Sequence, residues 1–206
     1  MKKHFDKILI IIGIIIIGTA VGMKMKTNYR EKQLIEEYKN IMASLNGEVI
    51  ETDNSKADSD EENSNAENSA AENYHENIIG IIEIPKIELT APIGQGVDYE
   101  TLKYSVGHFE QTAMPDEKGN CCFIGHRSYT YGEYFNRLDE IDKGDTITVQ
   151  YKNNTYNYTV TETFVVEPQE VSVLENSKNN HSEITLITCT PLRVGTHRLI
   201  VKGIVK

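Results

Sequence analysis

The C-terminal stretch 184–205, ITLITCTPLRVGTHRLIVKGIV, constrains the fold more than any other part of the sequence. Two β-branched apolar runs flank a short loop that contains Pro191 and Gly195, which is the pattern of an antiparallel hairpin. In such a hairpin, the last residue of one strand lies opposite the first residue of the next. We therefore expect Cys189 and Arg198 to be neighbours at the mouth of the hairpin.

A thiol beside a guanidinium group is suited to nucleophilic chemistry. The positive charge of Arg198 favours the thiolate form of Cys189, and its N–H groups can stabilise a developing oxyanion. Nucleophilic catalysis also needs a base. The hairpin offers only His197, which on a strand points away from its neighbour Arg198. We expect the base to come from another part of the chain.

The other two cysteines, Cys121 and Cys122, are adjacent in the sequence. On a strand they point to opposite faces, so a disulfide between them is not expected. The three cysteines show no C-x-x-C or similar ligand spacing. We predict no disulfide scaffold, no metal site and no cofactor. The interpretation that one cysteine is a free, reactive thiol stays available.

Residues 8–23, ILIIIGIIIIGTAVGM, carry no charge and are flanked by lysines on both sides. As a helix they reach about 24 Å, somewhat short of a hydrocarbon core of about 30 Å, and flanking lysines can snorkel across the difference. One interpretation is a cleaved signal peptide with a weak site at Ala20-Val21-Gly22; the other is an uncleaved signal anchor over residues 1–26. The poor site and the charge that follows favour the anchor and a membrane location.

Two further segments precede the folded domain. Residues 27–50 predict an amphipathic juxtamembrane helix, with apolar residues at helical spacing: Leu34, Tyr38, Ile41, Met42 and Leu45. Residues 51–77 hold nine acidic residues and one lysine, and this composition predicts a disordered acidic linker. Much of the net charge of −10 therefore lies outside the domain, and the sequence shows no basic face for nucleic acid.

From residue 78 to residue 206 the pattern becomes β-rich. Many short strands at close spacing predict a closed or nearly closed β-barrel with short helices. A helix is expected around Tyr134, Phe135, Leu138 and Ile141, and a turn or short helix at 171–174. The predicted strands cover 78–84, 89–93, 120–125, 146–151, 155–166, 184–189 and 199–205.

Among the histidines of this domain, His126 is the strongest candidate for the base. It follows the apolar run NCCFIG directly, which is how residues at strand ends are displayed. His108, in a loop-like stretch, is the second candidate, and His181 lies in a polar loop. Any single histidine can instead be a structural hydrogen-bonding group, and Cys189 can be a small buried hydrophobe.

The sequence resembles the sortases, the cysteine transpeptidases of Gram-positive cell surfaces. The resemblance is carried by TLITC at 185–189, the following Arg198 and GHR at 125–127, and it spans about 78–206. Supporting phrases are IPKI at 84–87, GHF at 107–109, GN at 119–120 and FxxL before GD at 144–145. The resemblance implies an eight-stranded sortase-type β-barrel with His126, Cys189 and Arg198 as catalytic residues and Thr188 as a substrate contact.

The same resemblance implies the reaction. Cleavage of an LPxTG-like sorting signal between Thr and Gly is followed by transfer to an amine, such as a cell-wall precursor or a pilin lysine. The stretch TCTPLRVGTHRLIVKG resembles the pilus-building class. No Asp-Pro-aromatic lid precedes Pro85, no second membrane segment follows the last strand, and Gly195 replaces a common Asn. These departures favour a class D-like enzyme that attaches single proteins to the wall.

Two alternatives are kept in view. One is a pilin polymerase, and the other is a non-catalytic, membrane-tethered β-barrel binding module. Within the leading interpretation, the loop 192–195 is where the sequence departs from the pilus class, so we expect it to influence acceptor or signal preference.

Overall fold

The computed structural model describes residues 2–45, 77–127, 134–176 and 181–205. The predicted acidic linker lies outside the described residues apart from Asn77. The helices and strands are α1 (Lys2–Leu45), β1 (Ile78–Ile84), β2 (Leu89–Gln95), α2 (Tyr99–Tyr104), β3 (Val106–His108), β4 (Gly119–Ile124), β5 (Thr146–Tyr151), β6 (Asn154–Val166), β7 (Ser182–Thr190) and β8 (His197–Val205). Short 3-10 helices occupy Pro85–Ile87, Leu138–Glu140 and Ser172–Leu174.

The eight strands close into a barrel in the order β1-β2-β3-β4-β7-β8-β6-β5. Two of the pairings are parallel, β2 with β3 and β4 with β7, and the others are antiparallel. Closure leaves no free sheet edge, because β1 pairs with β5 as well as with β2. The predicted eight-stranded barrel is therefore confirmed.

The barrel is filled by apolar side chains from alternate positions of its strands. Phe123, Leu186 and Val201 are fully buried in a single cluster, together with Phe135 from the segment after β4. These four residues come from three adjacent strands, β4, β7 and β8, and from a loop that packs over them. The rigid core therefore lies directly beneath the ends of these strands.

The structure differs from the sequence prediction in two places before β4. Val106–His108 is a strand of three residues, too short to show an alternating pattern, so the expected loop around His108 is wrong. The six-residue helix α2 is also unpredicted. Asp98 caps it, because its carboxylate accepts hydrogen bonds from the backbone N–H groups of Glu100 and Thr101 at 3.0 Å.

The helix expected around residues 134–141 is only a series of turns that ends in the 3-10 helix Leu138–Glu140. Tyr134, Phe135, Leu138 and Ile141 are all buried as expected. Their spacing fits successive tight turns as well as an α-helix, since both place residues three apart on one side. The short helix expected at 171–174 is confirmed as Ser172–Leu174.

Helix α1 is one continuous helix of 44 residues. Its first half is apolar and exposed from Ile10 to Met25, and the helix is long and apolar enough to cross a membrane. Its second half packs on the barrel near β1 and β2. Leu34 and Tyr38 are buried as predicted, and the Tyr38 hydroxyl donates to the Lys152 carbonyl at 3.4 Å. Ile41, expected on the same stripe, is exposed.

Candidate active site

The mouth of the β7–β8 hairpin has the predicted arrangement. Cys189 pairs with Arg198 across the two strands, and Thr190 pairs with His197. The Arg198 side chain is held by its Nη1 atom, which donates to the carbonyls of Gly195 at 3.2 Å and His197 at 3.0 Å. A guanidinium has five N–H donors, and among the described residues those on Nε and Nη2 have no partner, so they can meet a ligand.

Strand β4 brings His126 to the same mouth. It runs parallel to β7, with Ile124 paired to Ile187. The pairing continues past the end of β4, because the Gly125 N–H donates to the Ile187 carbonyl at 3.1 Å. Extending that register by one more residue places His126 level with Cys189.

Two side-chain hydrogen bonds join the end of β4 to the end of β7, one on each side of His126 and Cys189. The Thr188 hydroxyl donates to the Gly125 carbonyl at 2.8 Å, and Arg127 Nη1 donates to the Thr190 hydroxyl at 3.0 Å. They link residues 125 with 188 and 127 with 190, so they bracket His126 and Cys189. Thr188 is fully buried. Its expected contact with substrate stays a prediction, while its bond shows that it joins β7 to the end of β4.

The three members of the site have the same intermediate burial. Cys189 and His126 are both partly exposed. Within the described part of the chain, the His126 ring has no hydrogen-bond partner, so both nitrogens are open to a reaction partner. Desolvation lowers the pKa of His126 below its ordinary value. Its imidazole is therefore mainly neutral at pH 7, which suits a general base.

The loop between Cys189 and Arg198 passes within van der Waals contact of the Cys189 side chain at Gly195. Gly195 has a φ of +69°, and a Cβ atom built on it would lie 3.6 Å from Cys189 Cβ. Glycine adopts this left-handed conformation without strain. The loop closes on itself because the N–H groups of Val194 and Gly195 both donate to the Pro191 carbonyl.

The remaining histidines are engaged elsewhere. His108, the second candidate for the base, is fully buried on β3, and its ring nitrogens contact Gln95 Oε1 and the Ala113 carbonyl at 3.1 Å. His197 Nε2 lies 3.3 Å from a Glu167 carboxylate oxygen. The His181 carbonyl accepts a hydrogen bond from Gly119, at the far end of β4 from His126.

The two other cysteines lie inside the barrel wall. Cys121 and Cys122 are both fully buried, and all three cysteines are free thiols. Burial raises the pKa of Cys122 to about 12 and that of Cys121 well above its usual range. A thiol with such a pKa carries almost no thiolate at neutral pH, so Cys189 is the cysteine with nucleophilic access.

Sequence reasoning missed the role of Arg127, although it noted the GHR phrase. The Arg127 side chain is only 5% exposed, and its Nη2 atom lies 2.7 Å from an Asp139 carboxylate oxygen. Its Nε atom donates to the Asn136 carbonyl at 3.2 Å. With its bond to Thr190, it joins the His126 end of β4 to the Cys189 end of β7 and to the segment after β4. No sequence pattern predicts three such partners.

Within the described ranges, no group of three or more His, Cys, Asp or Glu side chains is placed to hold a metal ion. The site itself gathers a thiol, an imidazole and a guanidinium at the ends of β4, β7 and β8.

Comparison with known proteins gives a consistent result. The sortase domain family model matches residues 82–205. Among curated relatives, Sortase D of Bacillus subtilis (strain 168) is 29% identical over 191 residues, which cover 93% of this chain and 90% of that protein.

Two solved structures are informative for their coverage. The Clostridium perfringens Sortase D5 transpeptidase is 29% identical with a TM-score of 0.64, covering 86% of this chain and 99% of that chain. Sortase C1 of Streptococcus agalactiae is 35% identical with a TM-score of 0.60, covering 63% of this chain and 68% of that chain. The resemblance noted in the sequence is therefore confirmed, and this chain belongs to the sortase family, the cysteine transpeptidases that transfer LPxTG-like sorting signals to amine acceptors.

Proposed function

We propose that Cys189 is the nucleophile of this sortase, His126 its general acid and base, and Arg198 its oxyanion-binding group. The observation that carries the proposal is the shared mouth of β4, β7 and β8. There the strand register places Arg198 opposite Cys189 and His126 level with it.

In the first half-reaction, the Cys189 thiolate attacks the carbonyl carbon of the signal Thr, and the carbonyl oxygen becomes an oxyanion. The free N–H groups of Arg198 donate to this oxyanion, which is a group that exists only near the transition state. His126, as imidazolium, gives its proton to the leaving Gly nitrogen, and the C–N bond breaks. A thioester on Cys189 and a neutral His126 remain.

In the second half-reaction, an amine attacks the thioester carbonyl. Neutral His126 accepts a proton from that amine, the C–S bond breaks, and the thiolate and imidazolium are restored. The active form therefore pairs a thiolate with an imidazolium. Because the pKa of His126 is lowered, the ring stays neutral after it has given up its proton and is available to accept the amine proton in the second half-reaction.

The class D-like assignment is the favoured one within the family. The two Sortase D relatives align over most of this chain, whereas the Sortase C1 structure aligns over about two thirds of it. This favours attachment of single surface proteins over pilus assembly, although Sortase A relatives also align over 98% of this chain. The sortase C structures still make a pilin polymerase the second candidate, and a ladder of products with a pilin substrate would support it.

The proposed setting is a cell surface. Residues 1–26 form a single-pass anchor, residues 27–50 continue it as the juxtamembrane helix, and residues 51–77 link it to the catalytic domain at 78–206. The exposed apolar run on α1 supports the anchor. The partners are sorting signals of surface proteins and an amine acceptor such as a cell-wall precursor, with the catalytic domain outside the membrane.

The direct test is turnover of a panel of LPxTG-like peptides, with and without an amine acceptor, by the full chain in detergent micelles. We expect cleavage between Thr and Gly, and intact-mass measurement should detect the thioester on the wild type and not on Cys189→Ala. A thioester that persists in Cys189→Ala would contradict the assignment of the nucleophile.

A further inference from the structure

A groove lies between α1 and the barrel, and we call it the helix–barrel groove. Its volume is about 910 Å³. Lys32 and Ile35 of α1 form one wall. Glu88, Arg127, Asp139 and Leu192 contribute to the opposite side, which belongs to the barrel and its loops. None of these residues is assigned a part in the chemistry proposed above.

The helix–barrel groove adjoins the catalytic mouth. Arg127 directly follows His126 and donates to the hydroxyl of Thr190, which directly follows Cys189. Leu192 belongs to the loop that connects Cys189 to Arg198. A chain that lies in the groove can therefore place one end beside the thioester. The enzyme needs such a path for its second substrate, because the first occupies the thiol when the amine arrives.

The charges in the groove indicate what it can bind. Two of its arginines are already paired, Arg127 with Asp139 and Arg137 with Glu140 at 2.8 Å. The side chains of Lys32 and Glu88 have no hydrogen bond or ion pair in the part of the chain that the structure describes, although the Glu88 charge lies near Arg137. One unpaired cation and one unpaired anion thus line opposite walls. A molecule with an ammonium and an anionic group complements both.

We propose that the helix–barrel groove is the acceptor site, and that it binds an amine whose chain also carries a carboxylate or similar anion. Glu88 attracts the ammonium group as the acceptor enters the groove, Lys32 holds the anion, and Ile35 and Leu192 contact the aliphatic part. The ammonium group then loses a proton to solvent and leaves Glu88 as the neutral amine that attacks the thioester. This inference rests on the proposed function, because it names the second substrate of that same site. It makes Lys32 and Glu88 specificity determinants, with no part in formation of the thioester.

The test uses a matched pair of acceptors, 6-aminohexanoate and its amide, which differ only in the anionic group. Transfer from a cleavable LPxTG-like peptide is measured with the full chain in detergent micelles. For the wild type, we expect kcat/KM for the carboxylate to exceed that for the amide by about fivefold, as a single partly exposed charge pair allows. Lys32→Gln should remove this preference, and Glu88→Gln should lower kcat/KM for both acceptors.

The control variant is Glu162→Gln, which changes an exposed glutamate on β6 outside the groove. It should leave both acceptor values as in the wild type. The rate of peptide hydrolysis without acceptor should equal the wild-type rate in all three variants. Lys32 and Glu88 are exposed and take no part in formation or hydrolysis of the thioester. Melting temperatures would show that each variant is folded.

The outcomes separate the two proposals. If no peptide is turned over and no thioester forms on Cys189, the proposed function fails. If hydrolysis is intact but the wild type shows no preference for the carboxylate, or if Lys32→Gln keeps that preference, the acceptor site is wrong while the proposed function stands.

Discussion

The barrel contains two groups of histidine and cysteine side chains, and only one of them has the surroundings of a reactive site. His108, Cys121 and Cys122 lie on β3 and β4 inside the wall, where all three are fully buried. Thr112 joins them, because its hydroxyl lies 3.3 Å from His108 Nε2 and accepts from the Cys122 N–H at 3.2 Å. His126 and Cys189 lie at strand ends and are partly exposed.

The difference shows that residue type alone does not make the site. Inside the wall, desolvation raises the pKa of both cysteines and lowers that of His108, so each group is held in its neutral form. At the mouth, Cys189 faces a fixed guanidinium and the His126 ring has no partner among the described residues. The buried group stabilises the fold, and the exposed group is free to react.

The largest expected effect separates the cysteines. Cys189→Ala should reduce transpeptidation by about 10³-fold or more, because the covalent route is lost. Cys122→Ala should keep kcat within about threefold and cost about 1–2 kcal/mol of stability through the cavity it leaves. Steady-state kinetics and thermal melting measure both. Loss of turnover in a folded Cys122→Ala protein would contradict a purely structural role for Cys122.

The histidines should separate in the same way. His126→Gln is expected to lower kcat by about 10²- to 10⁴-fold with little change in melting temperature, since it removes a proton carrier from a partly exposed position. His108→Gln should instead lower the free energy of unfolding by about 1–3 kcal/mol, because it disturbs buried hydrogen bonds, and should keep kcat in the folded fraction. The reverse result would make His108 the catalytic base.

Alkylation of the native protein by iodoacetamide should sharpen the difference in exposure. Cys189 should be modified at least about tenfold faster than Cys121 or Cys122, which carry almost no thiolate while buried. Peptide mapping by mass spectrometry gives the three rates. In denaturant the three rates should converge, and similar rates in the folded protein would contradict the burial of the pair on β4.

The smallest expected effects concern pH. Because the pKa of His126 is lowered, the rise of kcat/KM with pH should lie below pH 6.5 on the acidic side of a bell-shaped profile. His108 also has a lowered pKa, so its stabilising contribution is present above pH 6.5 and is lost as the pH falls through its folded value. Melting curves at pH 7.5 and 5.0 should show a weaker acid dependence for His108→Gln than for the wild type.

Much of this arrangement could be predicted from local patterns. The β-branched runs gave the strands of the hairpin, and the hairpin geometry placed Cys189 opposite Arg198. The position of His126 at the end of an apolar run predicted that its side chain would be accessible at the end of a strand. The loop expected at His108 is wrong because a strand of three residues leaves no periodic signal.

What could not be predicted depends on pairing between distant segments. The two hydrogen bonds on either side of His126 and Cys189 form only because β4 lies parallel to β7. This pairing brings together residues that are 63 apart in sequence, such as Arg127 and Thr190. The helix–barrel groove needs α1 to pack on the barrel. Apolar spacing predicted burial of Leu34 and Tyr38, but it did not say which surface would bury them.

The packing of α1 on the barrel also sets the distance between the barrel and the bilayer, under the proposed anchoring of α1 in the membrane. From Met23, the last residue of the uncharged apolar run, to the buried Leu34 the helix advances about 17 Å. With that run in the membrane, the barrel is held within a few helical turns of the lipid surface, and the length of the linker at 51–77 does not alter this distance. Under the proposed function, a sorting signal whose cleavage point lies far from its own membrane segment would then lie above the proposed active site.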